Sequence, residues 1–130
     1  MNVPFQVDLK GQVALVTGGG GVLCSTMSRA LAVCGAKIAV ADLKQEAAEA
    51  VAGQIRKEGG TAIGVACNVL EKESLAAAND KVKRELGPID ILINGAGGNH
   101  PKGTTSLEHL RKEDLAGTAK EIITFYDLDP

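Results

Sequence analysis

The sequence predicts an α/β fold built on a parallel sheet, and three observations carry that expectation. Four short aliphatic runs are separated by three stretches whose apolar residues recur at helical spacing. Sixteen glycines against four prolines fit a chain with several tight strand-to-helix turns. Aromatic residues are limited to Phe5, Phe125 and Tyr126. The core must then be Val, Ile, Leu and Ala, which is how buried parallel strands and their covering helices read.

Each element follows in order. Val13-Ala14-Leu15-Val16, flanked by Gly11 and Gly18, reads as the first strand. Leu23, Met27, Ala30, Leu31 and Cys34 form the inward stripe expected of the first helix, which Gly35 stops. Lys37–Ala41 is the second strand. Ala48, Val51, Ala52 and Ile55 line the second helix inward, with Glu46, Glu49, Arg56 and Lys57 outward and Gly59-Gly60 at its end. Thr61 to Cys67 is the third strand. Leu75, Ala78, Val82 and Leu86 line the third helix, closed by Gly87-Pro88. Ile89–Ile93 is the fourth strand, and it runs into Asn94-Gly95-Ala96-Gly97.

Strands that alternate with helices imply right-handed crossovers and a parallel sheet. The order β-α-β-α-β-α-β corresponds to the N-terminal half of a doubly wound sheet. At 130 residues the chain is expected to be a single domain, with a core over 8–97. Residues 98–130 are polar and carry only a weak helical signal at Leu107, Leu110 and Leu115, so they read as an insertion or loop segment.

The net charge of −2 gives no electrostatic footprint for nucleic acid or an anionic membrane. The apolar runs fall far short of the roughly 20 residues that span a bilayer. The N-terminus has neither the basic nor the apolar region of a secretory signal. Cys24, Cys34 and Cys67 show no metal or redox spacing, and reduced thiols in a cytoplasmic protein are the expected state. His100 and His109 have no cysteine nearby, so no metal site is expected.

The chemistry lies at the joints. Gly18-Gly19-Gly20-Gly21 follows a strand and opens a helix, where a phosphate cradle belongs. Glycines there let the backbone approach a pyrophosphate, which rests on the free N–H groups of the helix N-terminus. By itself the run could equally be a flexible turn. A triphosphate-binding loop is excluded, because Leu23-Cys24-Ser25 stands where Gly-Lys-Ser/Thr is required. Asp42 ends the second strand 24 residues after Gly18, near the spacing of about 20 for the acid that binds adenosine ribose hydroxyls. A carboxylate there accepts hydroxyls and repels a 2′-phosphate, so NAD is favoured over NADP. An N-cap role for the following helix is the bland alternative for Asp42 and is compatible with the first.

Thr17-Gly18-Gly19-Gly20-Gly21-Val22-Leu23-Cys24, Asp42, Asn68-Val69 and Asn94-Gly95-Ala96-Gly97 resemble the cofactor motifs of the short-chain dehydrogenase/reductase family, in order and spacing. The stretch Gly97 to Pro101 is similar to members described as D-mannonate oxidoreductase or fructuronate reductase. The resemblance implies a Rossmann-type fold. It also implies an NAD site made by Gly18, Gly20, Gly21, Val22, Leu23, Asp42, Leu43, Asn68, Val69, Asn94, Gly95, Ala96 and Gly97. The implied activity is hydride transfer between nicotinamide and a secondary alcohol or ketone, on a small molecule such as a sugar acid. The implied assembly is a homo-oligomer at full length.

The chain departs from the family pattern at several points. The pattern Thr-Gly-x-x-x-Gly-x-Gly has Val22 and Cys24 at its second and third glycines. The adenine-contacting Asp-Val pair is Asn68-Val69, and Asn-Asn-Ala-Gly is Asn94-Gly95-Ala96-Gly97. Cys24 is small enough to keep the crossover with a slightly shifted helix. The family's catalytic Ser and Tyr-x-x-x-Lys have no counterpart: Tyr126 is the lone tyrosine, and Pro130 stands four residues on. No catalytic residue is therefore expected within the chain, which reads as the N-terminal half of a longer enzyme whose fourth strand would otherwise be an open apolar edge. A non-catalytic nucleotide-binding module, or half of a two-chain assembly, is the alternative. Asn99, His100 and Lys102 could meet a polar substrate, or could simply form a turn with Gly98 and Pro101.

Overall fold

The structure is a computed structural model that describes residues 7–98 and residue 112. Asn99, His100, Lys102 and the weak helical signal at Leu107, Leu110 and Leu115 lie outside the described residues. The chain divides into two compact units, Met1–Ala96 and Gly97–Pro130.

In the first unit the elements are β1 (Val13–Thr17), α1 (Val22–Val33), β2 (Lys37–Asp42), α2 (Gln45–Lys57), β3 (Thr61–Ala66), α3 (Lys72–Glu85) and β4 (Ile91–Asn94). The four strands form one parallel sheet in the order β3-β2-β1-β4. Val13 pairs with Lys37 and Lys37 with Thr61, so these three strands begin level. Ala14 pairs with Ile91 and Thr17 with Asn94.

Both faces of the sheet are covered. On one, Ala14, Val16, Ile38, Val40 and Ala62 pack with Ala48, Val51, Ala52 and Ile55 of α2 and Cys24 of α1. On the other, Val13, Leu15, Ala39, Ala41 and Val65 pack with Ala78 and Val82 of α3 and with Leu86. Small side chains on the sheet let the helices lie close, and the central strands β1 and β2 are buried on both sides, as their continuous aliphatic runs anticipated, while the edge strand β4 leaves Leu92 exposed. The β1-α1-β2-α2-β3 crossovers step one way across the sheet, and α3 carries the chain back over the opposite face to β4. The winding therefore reverses between β1 and β4.

Three expectations need correction. Leu23 and Met27 are not inward: they are exposed, and Cys24 and Ser28 are the buried positions of α1. The helix carries apolar residues on nearly every side at 22, 23, 27 and 30–33, so periodicity could not fix its phase. The loop entering it does. Leu75 is likewise exposed, and α3 meets the sheet only from Ala78 onward. The fourth strand begins at Ile91, not Ile89. Before it, the Asp90 carboxylate accepts the Val13 N–H at 2.9 Å, and the Asp90 N–H donates to the Val13 carbonyl at 2.9 Å. That reciprocal link replaces the ladder one residue short of the strand.

No helix among the described residues is long and apolar enough to cross a membrane. No cluster of metal-ligating side chains occurs among them either.

Candidate functional site

The loops at the carboxyl ends of β1, β2, β3 and β4 all open on one edge of the sheet. In open α/β sheets the ligand crevice forms there, where the winding reverses.

The glycine loop shows why these residues are needed. Gly18 has φ +64, and a Cβ on it would lie 2.7 Å from the Gly95 carbonyl oxygen. The Gly19 N–H donates to the Ala41 carbonyl at 2.9 Å, and a Cβ there would meet Val40 Cγ1 at 2.6 Å. A Cβ at Gly20 would meet Ala47 Cβ at 2.7 Å. The loop is thus pressed against both neighbouring strands and the start of α2, which leaves room only for backbone. Gly21 caps α1 without a side-chain bond, and its N–H donates to the Gly18 carbonyl at 3.0 Å. The ladder of α1 opens with the Ser25 N–H on the Gly21 carbonyl at 2.9 Å. The N–H groups of Val22, Leu23 and Cys24 consequently have no partner within the helix. No acidic residue lies in that first turn, so the positive end of the helix faces outward unopposed. The Val22 and Leu23 side chains stand exposed beside it.

Asp42 is locked to this loop. One carboxylate oxygen, Oδ2, accepts the Gly20 N–H at 3.0 Å, and Oδ1 accepts the Lys44 N–H at 3.1 Å. Lys44, not Asp42, occupies the N-cap of α2. Each oxygen keeps acceptor capacity for a further donor. Leu43 beside it is exposed. The Asp42 carbonyl accepts the Cys67 N–H at 2.8 Å, which brings the loop after β3 alongside.

In that loop Asn68 is committed locally. Its Nδ2 donates to Glu71 Oε1 at 2.8 Å, its Oδ1 accepts the Leu70 N–H at 3.1 Å, and its own N–H donates to Ser74 Oγ at 2.9 Å. The amide side chain therefore builds the turn into α3, and its Nδ2 keeps a second hydrogen for a further acceptor. Val69 is partly exposed next to it.

At β4 the anchor is a residue absent from the expected set. The Thr17 hydroxyl accepts the N–H groups of Gly95 and Ala96, each at 3.1 Å, and donates to the Ile93 carbonyl at 3.4 Å. It ties the ends of β1 and β4 together across the point where the winding reverses. In sequence Thr17 opens the motif Thr-Gly-x-x-x-Gly-x-Gly, and that signal alone does not show that its hydroxyl holds the turn after β4. Gly18, Gly20, Gly21, Asp42, Asn68, Asn94, Gly95 and Ala96 are thus gathered on one edge of the first unit, whereas Gly97 opens the second unit. The depression bounded by Arg29, Ala32, Val33, Ile55, Glu58 and Gly60 lies at the C-terminal ends of α1 and α2, away from this edge.

A parallel sheet wound in this order, with helices on both faces and a glycine loop at the point of reversal, is a doubly wound Rossmann-type domain. Residues 12–119 match the model of the short chain dehydrogenases, and the chain belongs to that family. It is 42% identical over 127 residues to the uncharacterized oxidoreductase UxuB of Bacillus subtilis, covering 98% of this chain and 44% of that protein. It is 44% identical over 97 residues to D-threitol dehydrogenase of Mycolicibacterium smegmatis, covering 75% of this chain and 37% of that protein. Among solved structures, that of a provisionally named D-mannonate oxidoreductase from Haemophilus influenza, with bound NAD, aligns with a TM-score of 0.73 at 42% identity. The alignment covers 94% of this chain and 42% of that one. The chain spans less than half the length of these relatives.

Proposed function

We propose that this chain is the adenosine- and pyrophosphate-binding part of an NAD-dependent oxidoreductase. The full protein would transfer hydride between nicotinamide C4 and a secondary alcohol or ketone of a sugar acid. The observation that carries the reading is the Asp42 carboxylate, held at the end of β2 by the N–H groups of Gly20 and Lys44 and directly beside the glycine loop. A carboxylate so placed accepts ribose hydroxyls and repels a 2′-phosphate. The cofactor supplies the hydride chemistry. The part of this chain is to bind and orient it: the first turn of α1 offers N–H groups to the pyrophosphate, Asp42 and Leu43 flank the adenosine, and Asn68 and Val69 border the base. Asn94, Gly95, Ala96 and Gly97 would complete the crevice toward the nicotinamide.

The bound NAD of the Haemophilus structure supports the cofactor, and that protein's provisional name supports a sugar acid. The D-threitol dehydrogenase relative favours a second reading, a polyol substrate. A homo-oligomer in the cytoplasm fits the family and the three free cysteines. Calorimetry on the full protein tests the cofactor. NAD is expected to bind at least about tenfold tighter than NADP, and Asp42→Ala to lose about tenfold or more in NAD affinity, the size of one charged hydrogen-bond partner. No binding at millimolar NAD, or equal affinity with Asp42→Ala, would sink the assignment. Turnover of D-mannonate against D-threitol separates the two substrate readings.

A further inference from the structure

The Cys24 thiol lies where a side chain on residue 95 would begin. A Cβ at Gly95 would fall 2.1 Å from Cys24 Sγ, 2.8 Å from the Thr17 carbonyl oxygen and 3.6 Å from Cys24 Cβ. Cys24 is buried in the first turn of α1, on the side that meets the sheet. The Thr17 hydroxyl holds the same turn through the Gly95 and Ala96 N–H groups. The turn after β4 is therefore set between a hydroxyl that binds its amides and a sulfur atom that fills the space a side chain would need. This contact brings together two departures from the family pattern: cysteine at the third glycine of the loop, and glycine at the second asparagine of Asn-Asn-Ala-Gly.

We infer that Cys24 is a positioning residue whose thiol, size-matched to glycine at 95, sets the Gly95–Ala96 turn at the meeting of β1 and β4. The two positions act as one unit. Bulk at 95 meets the sulfur at 24 first and the Thr17 carbonyl oxygen next, and removing the sulfur leaves the turn unsupported on that side. Its effect on NAD rests on the proposed function, because the turn borders the crevice assigned to the cofactor.

A double-mutant cycle in the full protein tests this: Cys24→Ala, Gly95→Ala and the two combined. Val82→Ala, on the buried face of α3, serves as a control for general destabilisation. The readouts are deuterium uptake by the peptide covering residues 92–98 and NAD affinity. Gly95→Ala is expected to speed uptake and weaken NAD by about tenfold or more, with a smaller effect from Cys24→Ala. The combined variant is expected to recover part of the loss, because the sulfur contact is removed while the Thr17 carbonyl oxygen still lies 2.8 Å from a Cβ at 95. Val82→Ala should lower the melting temperature and leave the peptide and the affinity unchanged. Uptake in the combined variant equal to the product of the single effects overturns the pairing. Should Gly95→Ala fail to fold, restored folding on adding Cys24→Ala supports the pairing, and its absence overturns it. Should the unmutated protein not bind NAD, the cofactor reading falls, while the exchange cycle still decides the pair.

Discussion

Thr17 and Asp42 do similar work with different chemistry: each uses side-chain oxygens to fix two backbone N–H groups at the carboxyl edge. For Thr17 these are the amides of Gly95 and Ala96. Thr17→Val keeps the shape of the side chain and removes the acceptor, leaving both amides without it. Gly95 and Ala96 are exposed, so water can reach the freed N–H groups, and chemical denaturation is expected to show about 0.5–1.5 kcal/mol lost per hydrogen bond, together with weaker NAD binding. A change in stability with unaltered NAD affinity would remove Thr17 from the site and leave it purely structural. Asp42 was legible in sequence because its spacing from the glycine loop is characteristic. Thr17 was not, because its role depends on residues nearly eighty positions away.

At the scale of elements, α2 and α1 contrast. The α2 stripe of Ala48, Val51, Ala52 and Ile55 is buried as its spacing predicted, because its opposite face is charged and only one phase hides the apolar residues. Ile55→Ala, at a position 1% exposed beneath the sheet, is expected to cost about 2–5 kcal/mol in denaturant unfolding, and its cavity should not move the carboxyl-edge loops. The α1 stripe could not be phased in that way, and the glycine loop decided it. The two helices are joined at their far ends by Arg29 and Glu58. Hydrogen bonding from the Arg29 guanidinium, helped by its charge, holds the Glu58 carboxyl below its ordinary 4.5, and Arg56 does the same for Glu49. A carboxyl lowered in the folded state stabilises above its unfolded value, and the contribution is lost as pH falls through the folded one. The melting-temperature difference between the unmutated protein and Glu58→Gln should therefore be present above pH 4.5 and fade below it. It should stay small throughout, as exposed pairs contribute little. A difference that grows on acidification would contradict the sign.

For the whole molecule, the sheet order β3-β2-β1-β4 places every candidate residue of the first unit on one edge, and a ligand bound there bridges loops from all four strands. Saturating NAD should stabilise the full protein against heat. At a concentration of 100 times Kd the gain is about 2.7 kcal/mol by mass action, and NADP at the same concentration should give less. Scanning calorimetry with each nucleotide decides it, and an identical rise with both would remove the discrimination assigned to Asp42.

The sequence by itself determined the order of strands and helices, the parallel sheet and the edge on which the glycine loop, Asp42, Asn68 and Asn94 gather. These follow from signals local in the chain: aliphatic runs, helical spacing and glycines at the joints, combined with the fixed hand of crossovers. It also made the family legible, because the motifs keep their order even where Val22, Cys24, Asn68 and Gly95 depart from the pattern. Only the tertiary structure decided which face of α1 is buried, that Thr17 holds the Gly95–Ala96 turn, and that Cys24 fills the space facing Gly95. Those outcomes depend on the fit between segments distant in sequence, such as Thr17 with Gly95, and no periodicity within one segment records the shape of another.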